Sequence, residues 1–139
     1  MKKIVLLLSF LFIVISSNSQ TIVSSRQTYR KIFKIEDGVL SDFNTYHKLY
    51  KADVNIISDP NTFRKLYKVE DGILSDFNTY KKLYKFEDGI ISDPNTFKKL
   101  YKIEDGIISD YNTYKNLYKI EGGYTMSELY MIMLNLGLL

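Results

Sequence analysis

Apolar and polar residues alternate in short, identically phased runs along most of this chain. In Leu83-Tyr84-Lys85-Phe86-Glu87 and again in Ile90-Ile91-Ser92-Asp93, β-branched and aromatic residues recur with the two-residue period of a half-buried strand. Asp88-Gly89 between them supplies the two positive φ values of a type I′ turn, the strongest local hairpin signal. With that pair as a two-residue loop, Tyr84 faces Asp93, Lys85 faces Ser92, Phe86 faces Ile91 and Glu87 faces Ile90. Tyr84, Phe86 and Ile91 then share the better core face. Leu83, Lys85, Glu87 and Ile90 share the other, which is not cleanly polar. Either neighbouring hairpins cover Leu83 and Ile90, or the register slips at a bulge.

The same pattern returns every 17 residues. Residues 22–123 divide into six consecutive units with no insertion or deletion, and residues 39–72 match 73–106 best as a duplicated pair. Five units end in Asp-Gly or Gly-Gly: Asp37-Gly38, Asp71-Gly72, Asp88-Gly89, Asp105-Gly106 and Gly122-Gly123. The second unit instead ends Asp53-Val54-Asn55, and a β-branched Val54 predicts a different or strained turn there. A second punctuation mark, Ser-Asp-x-Asn-Thr as in Ser92 to Thr96, reverses the chain through Asx hydrogen bonding, helped by Pro where x is Pro94.

Two other architectures fit parts of the pattern. Asp93-Pro94 resembles a helix start, and Phe97, Leu100 and Tyr101 recur at helical spacing before Gly106, so a stack of short helices is one alternative. A parallel β-solenoid is another. Against helices, the frame is rich in Thr, Tyr, Phe, Ile and Asn and leaves only about eleven residues per helix. Hairpins are the preferred reading. An isolated hairpin is marginal in water, so the units must bury their apolar columns against each other, in a ring or an open strip. A ring would remove the edges, and the recurring Lys34, Lys51, Lys68, Lys85, Lys102 and Lys119 would guard against edge pairing.

The two ends of the chain differ from the repeat. Lys2-Lys3, an apolar run from Ile4 to Ile15 and Ser17-Asn18-Ser19 read as a secretory signal over residues 1–19, too short for a membrane span. The exported chain is then periplasmic, cell-surface or secreted. Residues 20–124 form the hairpin domain and residues 125–139 a capping segment. There, Thr125 and Glu128 form a capping box, Met126, Leu129, Tyr130, Met133 and Leu136 share one side, and Gly137 is a C-cap. Ile132 and Leu134 make the opposite side apolar too, so the helix expected over residues 126–136 should be buried as a plug or lid on one end of the β-assembly.

Leu100-Tyr-Lys-Ile-Glu-Asp-Gly-Ile-Ile-Ser-Asp110 resembles the hairpin repeats of exported bacterial β-flower proteins, whose strand–turn–strand units radiate about a pseudo-symmetry axis. The resemblance covers residues 22–123. It implies an all-β fold, a ring-like β-flower or open repeat sheet with a short C-terminal helix. Five units are typical of that family against six here, and the family brings no assigned activity.

Composition narrows the function classes. The absence of Cys excludes a disulfide framework, a thiolate metal site and a catalytic thiol. Of 19 Lys and Arg against 16 Asp and Glu, two lysines leave with the signal, so the processed chain is nearly neutral and carries no surplus arguing for nucleic acid. His47 is the sole histidine and replaces a recurring Lys, which argues for a surface substitution and against a catalytic triad. The acidic pairs Glu70-Asp71, Glu87-Asp88 and Glu104-Asp105 recur identically, unlike one asymmetric catalytic constellation. Asp-x-Asn at Asp42/Asn44, Asp59/Asn61, Asp76/Asn78, Asp93/Asn95 and Asp110/Asn112 offers oxygen ligands to calcium, but Asx turns explain the same residues. No catalytic, cofactor or metal residue is assigned.

The 12 Tyr and 8 Phe concentrate in two columns: Tyr29, Tyr46, Phe63, Tyr80, Phe97, Tyr114, and Phe33, Tyr50, Tyr67, Tyr84, Tyr101, Tyr118. A repeat with little Leu is expected to bury them. The function expected is a non-enzymatic exported structural or interaction protein with a protein or glycan partner at the cell envelope. The runner-up is a glycan-binding module whose ligand surface draws on Tyr46, Tyr50, Tyr67, Tyr80, Tyr84, Tyr101, Tyr114 and Tyr118, favoured if three or more Tyr face solvent. A small hydrolase is a distant third.

Overall fold

The computed structural model describes residues 20–139, so the signal segment expected over residues 1–19 lies outside the described residues. Twelve strands follow one another around a closed antiparallel barrel. They are β1 (Thr21–Ser25), β2 (Lys31–Glu36), β3 (Val39–Asp42), β4 (Lys48–Asp53), β5 (Ile56–Ser58), β6 (Lys65–Glu70), β7 (Ile73–Asp76), β8 (Lys82–Glu87), β9 (Ile90–Ser92), β10 (Lys99–Glu104), β11 (Ile107–Asp110) and β12 (Asn116–Glu121). Neither helices nor a parallel solenoid form in the repeat. The β8–β9 register is the expected one, Lys85 opposite Ser92, Phe86 opposite Ile91 and Glu87 opposite Ile90.

Each Asp-Gly turn has both residues at positive φ, 51–53° for Asp and 75–77° for Gly. Glycine is required at Gly72 twice over: φ is +76°, and a Cβ would come within 2.4 Å of the Phe86 carbonyl oxygen. Val54 is held at φ +55°, so the irregular second turn is strained as its sequence suggests. Gly122-Gly123 is the exception among the expected turns. It leads the chain out of the barrel wall, and β12 pairs instead with β1, Ile22 opposite Glu121 and Val23 opposite Ile120. The first strand thereby supplies the partner that the last strand lacks, and among the described residues no strand edge is left open.

A β-bulge recurs wherever one hairpin joins the next. Leu40 pairs with Tyr50 and Ser41 with Lys48, which leaves Leu49 as the extra residue. Ile32, Leu66, Leu83, Leu100 and Leu117 hold the same position in the other pairs. The bulge resolves the mixed face around Leu83. Strict alternation from the inward Tyr50 would turn Lys48 into the lumen, and the extra residue restores it to the outer face with Ser41. Pro60 and Pro94 stand where another residue donates its N–H to the bulged carbonyl, as Phe43 does to Ile32 at 2.8 Å, and proline has no N–H to give. Without that donor, β5 and β9 are one residue shorter than the other outgoing strands of the hairpins.

The lumen decides what the C-terminal segment must do. Twelve strands about 4.8 Å apart and tilted by about 40° enclose a barrel roughly 24 Å across, too wide for wall side chains to fill alone. Helix α1 (Met126–Asn135) fills it. Five consecutive residues, Leu129 to Met133, are fully buried, so protein surrounds the helix on every side. It is a plug within the ring and not a lid across one end. Thr125 and Glu128 close the expected capping box. At the other end Leu136 is the cap and Gly137 follows in the left-handed region, with Leu138 N–H donating to Met133 O and Gly137 N–H to Leu134 O.

One departure from the repeat positions the plug. α1 lies nearest β4, where Ala52 stands in the inward column otherwise held by Ile35, Val69, Phe86, Ile103 and Ile120. The small side chain lets the helix approach the wall there. Ser127 Oγ donates to the Val54 carbonyl at 2.9 Å and Tyr130 OH to the Gly72 carbonyl at 2.7 Å, pinning the first turns of α1 to the turn end of the barrel.

Candidate functional site

Because all Asp-Gly turns share one end of an up-and-down barrel, the Ser-Asp-x-Asn-Thr loops share the other. In each, the Asp caps the loop: Asp42 Oδ1 accepts the N–H groups of Asn44 and Thr45, both at 2.9 Å. Asp59, Asp76, Asp93 and Asp110 repeat the arrangement. These donors hold the carboxyls of Asp42, Asp59, Asp76 and Asp110 below the ordinary carboxylate range. The Asx turn thus commits one carboxylate oxygen of each Asp considered for calcium to backbone N–H groups. Among the described residues no three acidic or histidine side chains converge as a metal-ligand group.

The residue that closes each loop is aromatic and left-handed. Tyr46 N–H donates back to Asp42 O at 3.0 Å and Tyr46 takes φ +62°. This is the slot after a tight turn where Gly or Asn is favoured. Tyr29, Phe63, Tyr80, Phe97 and Tyr114 do the same at φ 59–62°. A bulky residue in that region costs on the order of 1–2 kcal/mol. Burial does not offset it, since the six side chains are 68–81% exposed.

The expectation that both aromatic columns lie in the core is therefore corrected for one of them. Of the tyrosines expected at a ligand surface, Tyr46, Tyr80 and Tyr114 face solvent. Tyr50, Tyr67, Tyr84, Tyr101 and Tyr118 are half-buried and pack against the core from the inner wall. Their strand partners Leu40, Ile57, Leu74, Ile91 and Ile108 are fully buried. Tyr101 OH donates to Leu138 O at 2.9 Å, and burial raises the phenol pKa of Tyr50 and Tyr101. The two columns stand on opposite sides of the wall and make no common site.

Outside, four of the exposed aromatics, Tyr29, Tyr46, Phe97 and Tyr114, each close a shallow groove between hairpins. The Tyr46 groove, about 320 Å³, is lined by Lys34, Glu36, Val39, Ser41 and Lys48. Lys34 Nζ sits 4.7 Å from the Tyr46 ring centre and 3.9 Å from Glu36. The Phe97 groove, about 540 Å³, repeats it with Lys85, Glu87, Ile73, Ser92 and Lys99, and the Tyr29 groove with Lys119, Glu121, Ile22, Ser24 and Lys31. In the Tyr114 groove Lys102, Glu104 and Ser109 recur, but Asn116 replaces the second lysine and bonds Ser109 Oγ at 2.8 Å. An aromatic face beside ammonium, carboxylate and hydroxyl groups can stack on a flat apolar surface while exchanging hydrogen bonds with its edge.

The near-neutral charge count concealed an axial sorting. The turn rim carries the Glu36, Glu70, Glu87, Glu104 and Glu121 column and the turn aspartates. The loop rim carries Lys31, Lys48, Lys65, Lys82 and Lys99, and one position earlier Arg30, Arg64, Lys81, Lys98 and Lys115. His47 lies exposed in this second cationic column. Between the rims the outward lysines pair with the glutamates, Lys85 with Glu87 at 2.9 Å and Lys102 with Glu104 at 3.0 Å.

The Asx pattern and the hairpin register could be read from sequence. The left-handed aromatics could not, because a bulky residue is the last type expected at positive φ, and the grooves could not, because they depend on which hairpin sits beside which. No protein-family model, curated protein or solved structure matches the chain.

Proposed function

We propose that the chain is an exported, non-enzymatic binding module of the β-flower kind, its hairpin units presenting repeated surface sites for carbohydrate. One observation carries the reading: six aromatic residues are held at strained left-handed positions with no burial in return. Strain without structural compensation is retained where a surface is used. Tyr29, Tyr46, Tyr80 and Tyr114 meet the sequence criterion for a glycan surface, three or more tyrosines facing solvent. A sugar presents an apolar face to an aromatic ring and hydroxyls to its neighbours, and the Lys, Glu and Ser of each groove are matched to both. Repetition around a ring adds avidity to individually weak contacts.

The acidic residues give no support to hydrolysis. Glu87 is ion-paired on the outer wall and Asp88 occupies a turn, and the pattern repeats from unit to unit. A membrane-spanning barrel is equally unsupported, since strands of 3–6 residues with Lys–Glu pairs on the outer wall are too short and too polar to face lipid.

The test is a glycan array probed with the purified chain and with a variant carrying Tyr29→Asn, Tyr46→Asn, Tyr80→Asn and Tyr114→Asn. Retention by the parent and its loss in an equally folded, more stable variant is the expected result. A parent that retains no glycan refutes the reading.

A further inference from the structure

We infer that the grooves select acidic saccharides, a carboxylate or sulfate lying between the exposed aromatic and the second lysine where a groove carries one. The inference rests on the carbohydrate reading and adds the charge of the ligand. Lys34, Lys68, Lys85, Lys102 and Lys119 are each paired with a glutamate two residues on. The second lysines, such as Lys48 in the Tyr46 groove and Lys99 in the Phe97 groove, have no carboxylate within 4 Å among the described residues.

The aspartates of the same rim do not neutralise them. Each loop Asp has its inner oxygen committed to two backbone N–H groups, and none of the five forms an ion pair among the described residues. The cationic surplus absent from the whole-chain count is therefore present locally, on the rim that also carries the aromatics. Clustered like charge around a concave surface raises the local concentration of an oppositely charged ligand.

Neighbouring grooves are separated by two strands, about 10–12 Å along the wall, so one acidic chain can engage several in succession. Nucleic acid offers stacking and negative charge as well, but a glutamate lines each groove described, where it can accept the hydroxyl groups that a saccharide carries along its length and a DNA strand lacks. The chain carries its own internal control. The Tyr114 groove has Asn116 in place of the second lysine and should take the acidic group least well.

The test compares alginate, chondroitin sulfate, neutral dextran, neutral glucomannan and a single-stranded oligonucleotide as immobilised ligands for the purified chain in about 0.15 M salt. Binding of the acidic polysaccharides at least roughly tenfold tighter than the neutral ones, weakening as salt rises, is expected. Replacing Lys48, Lys82 and Lys99 with Gln should lower acidic binding toward the neutral level and flatten its salt dependence. Asn116→Lys should strengthen acidic binding. Equal binding of acidic and neutral chains overturns the charge selection and leaves the carbohydrate reading standing. Preference for the oligonucleotide overturns the saccharide as occupant, and no binding to any polysaccharide overturns both.

Discussion

Replacing Val54 with Asp should stabilise the protein, although it removes an apolar residue. Val54 is held at φ +55° in a two-residue turn, and its side chain is 89% exposed, so it contributes almost no burial. A left-handed conformation costs an L-residue on the order of 1–2 kcal/mol, and β-branching places valine at the unfavourable end. Aspartate fills the same position at φ 51–53° in the other four turns and tolerates it through local hydrogen bonding. The bond from Ser127 Oγ to the Val54 carbonyl involves backbone at this residue and survives the change.

The expected gain is about 1 kcal/mol. For a domain of about 120 residues, at roughly 2.1 cal/mol/K per residue, this raises Tm by about 4 °C. Thermal and urea unfolding followed by circular dichroism would measure it. The reciprocal change, Asp71→Val, creates the same strain at a regular turn and should cost a similar amount. A Val54→Asp protein no more stable than the parent, together with a harmless Asp71→Val, would refute the reasoning.

Other expectations follow from the same contacts. Gly72→Ala places a Cβ about 2.4 Å from the Phe86 carbonyl oxygen at a positive φ and should cost about 2–4 kcal/mol, read as a drop in the urea midpoint. Tyr130→Phe removes the 2.7 Å bond to the Gly72 carbonyl, which keeps the Phe86 N–H at 2.8 Å, and should cost about 0.5–1.5 kcal/mol by the same assay. Removing residues 126–139 exposes the lumen and forfeits burial of Leu129, Met131, Ile132 and Met133, roughly 6–12 kcal/mol, so that protein should bind a hydrophobic dye and lose cooperative unfolding. Because Asp42, Asp59, Asp76 and Asp110 have lowered pKa values in the folded state, their contribution is present above the ordinary carboxylate value and lost as pH falls through the folded one. Tm should therefore decline below about pH 4, and replacing all four with Asn should flatten that decline.

Much of the wall was legible in the chain. Asp-Gly dipeptides, period-two alternation and Asx-rich loops are local signals, and each acts within a few residues of itself. The face of each hairpin followed from them, down to Phe86 opposite Ile91. Expectations weakened wherever a residue's surroundings came from another unit. Tyr46 and Tyr50 are four positions apart and chemically identical, yet one faces solvent and the other the core. Tyr46 is itself the left-handed residue that closes its loop, and an unseen bulge at Leu49 separates it from Tyr50.

The six-unit period, the hairpin register, the loop chemistry and the helix with both its caps belong to the sequence by itself, because turn geometry and side-chain alternation are set by neighbours along the chain. Only the tertiary structure decided that β1 closes on β12, that the helix lies inside the ring, and that aromatics and unpaired lysines meet on the outer wall. Those outcomes depend on how wide a twelve-strand ring must be, what can fill it, and which end each loop shares, none of which is encoded within a single repeat.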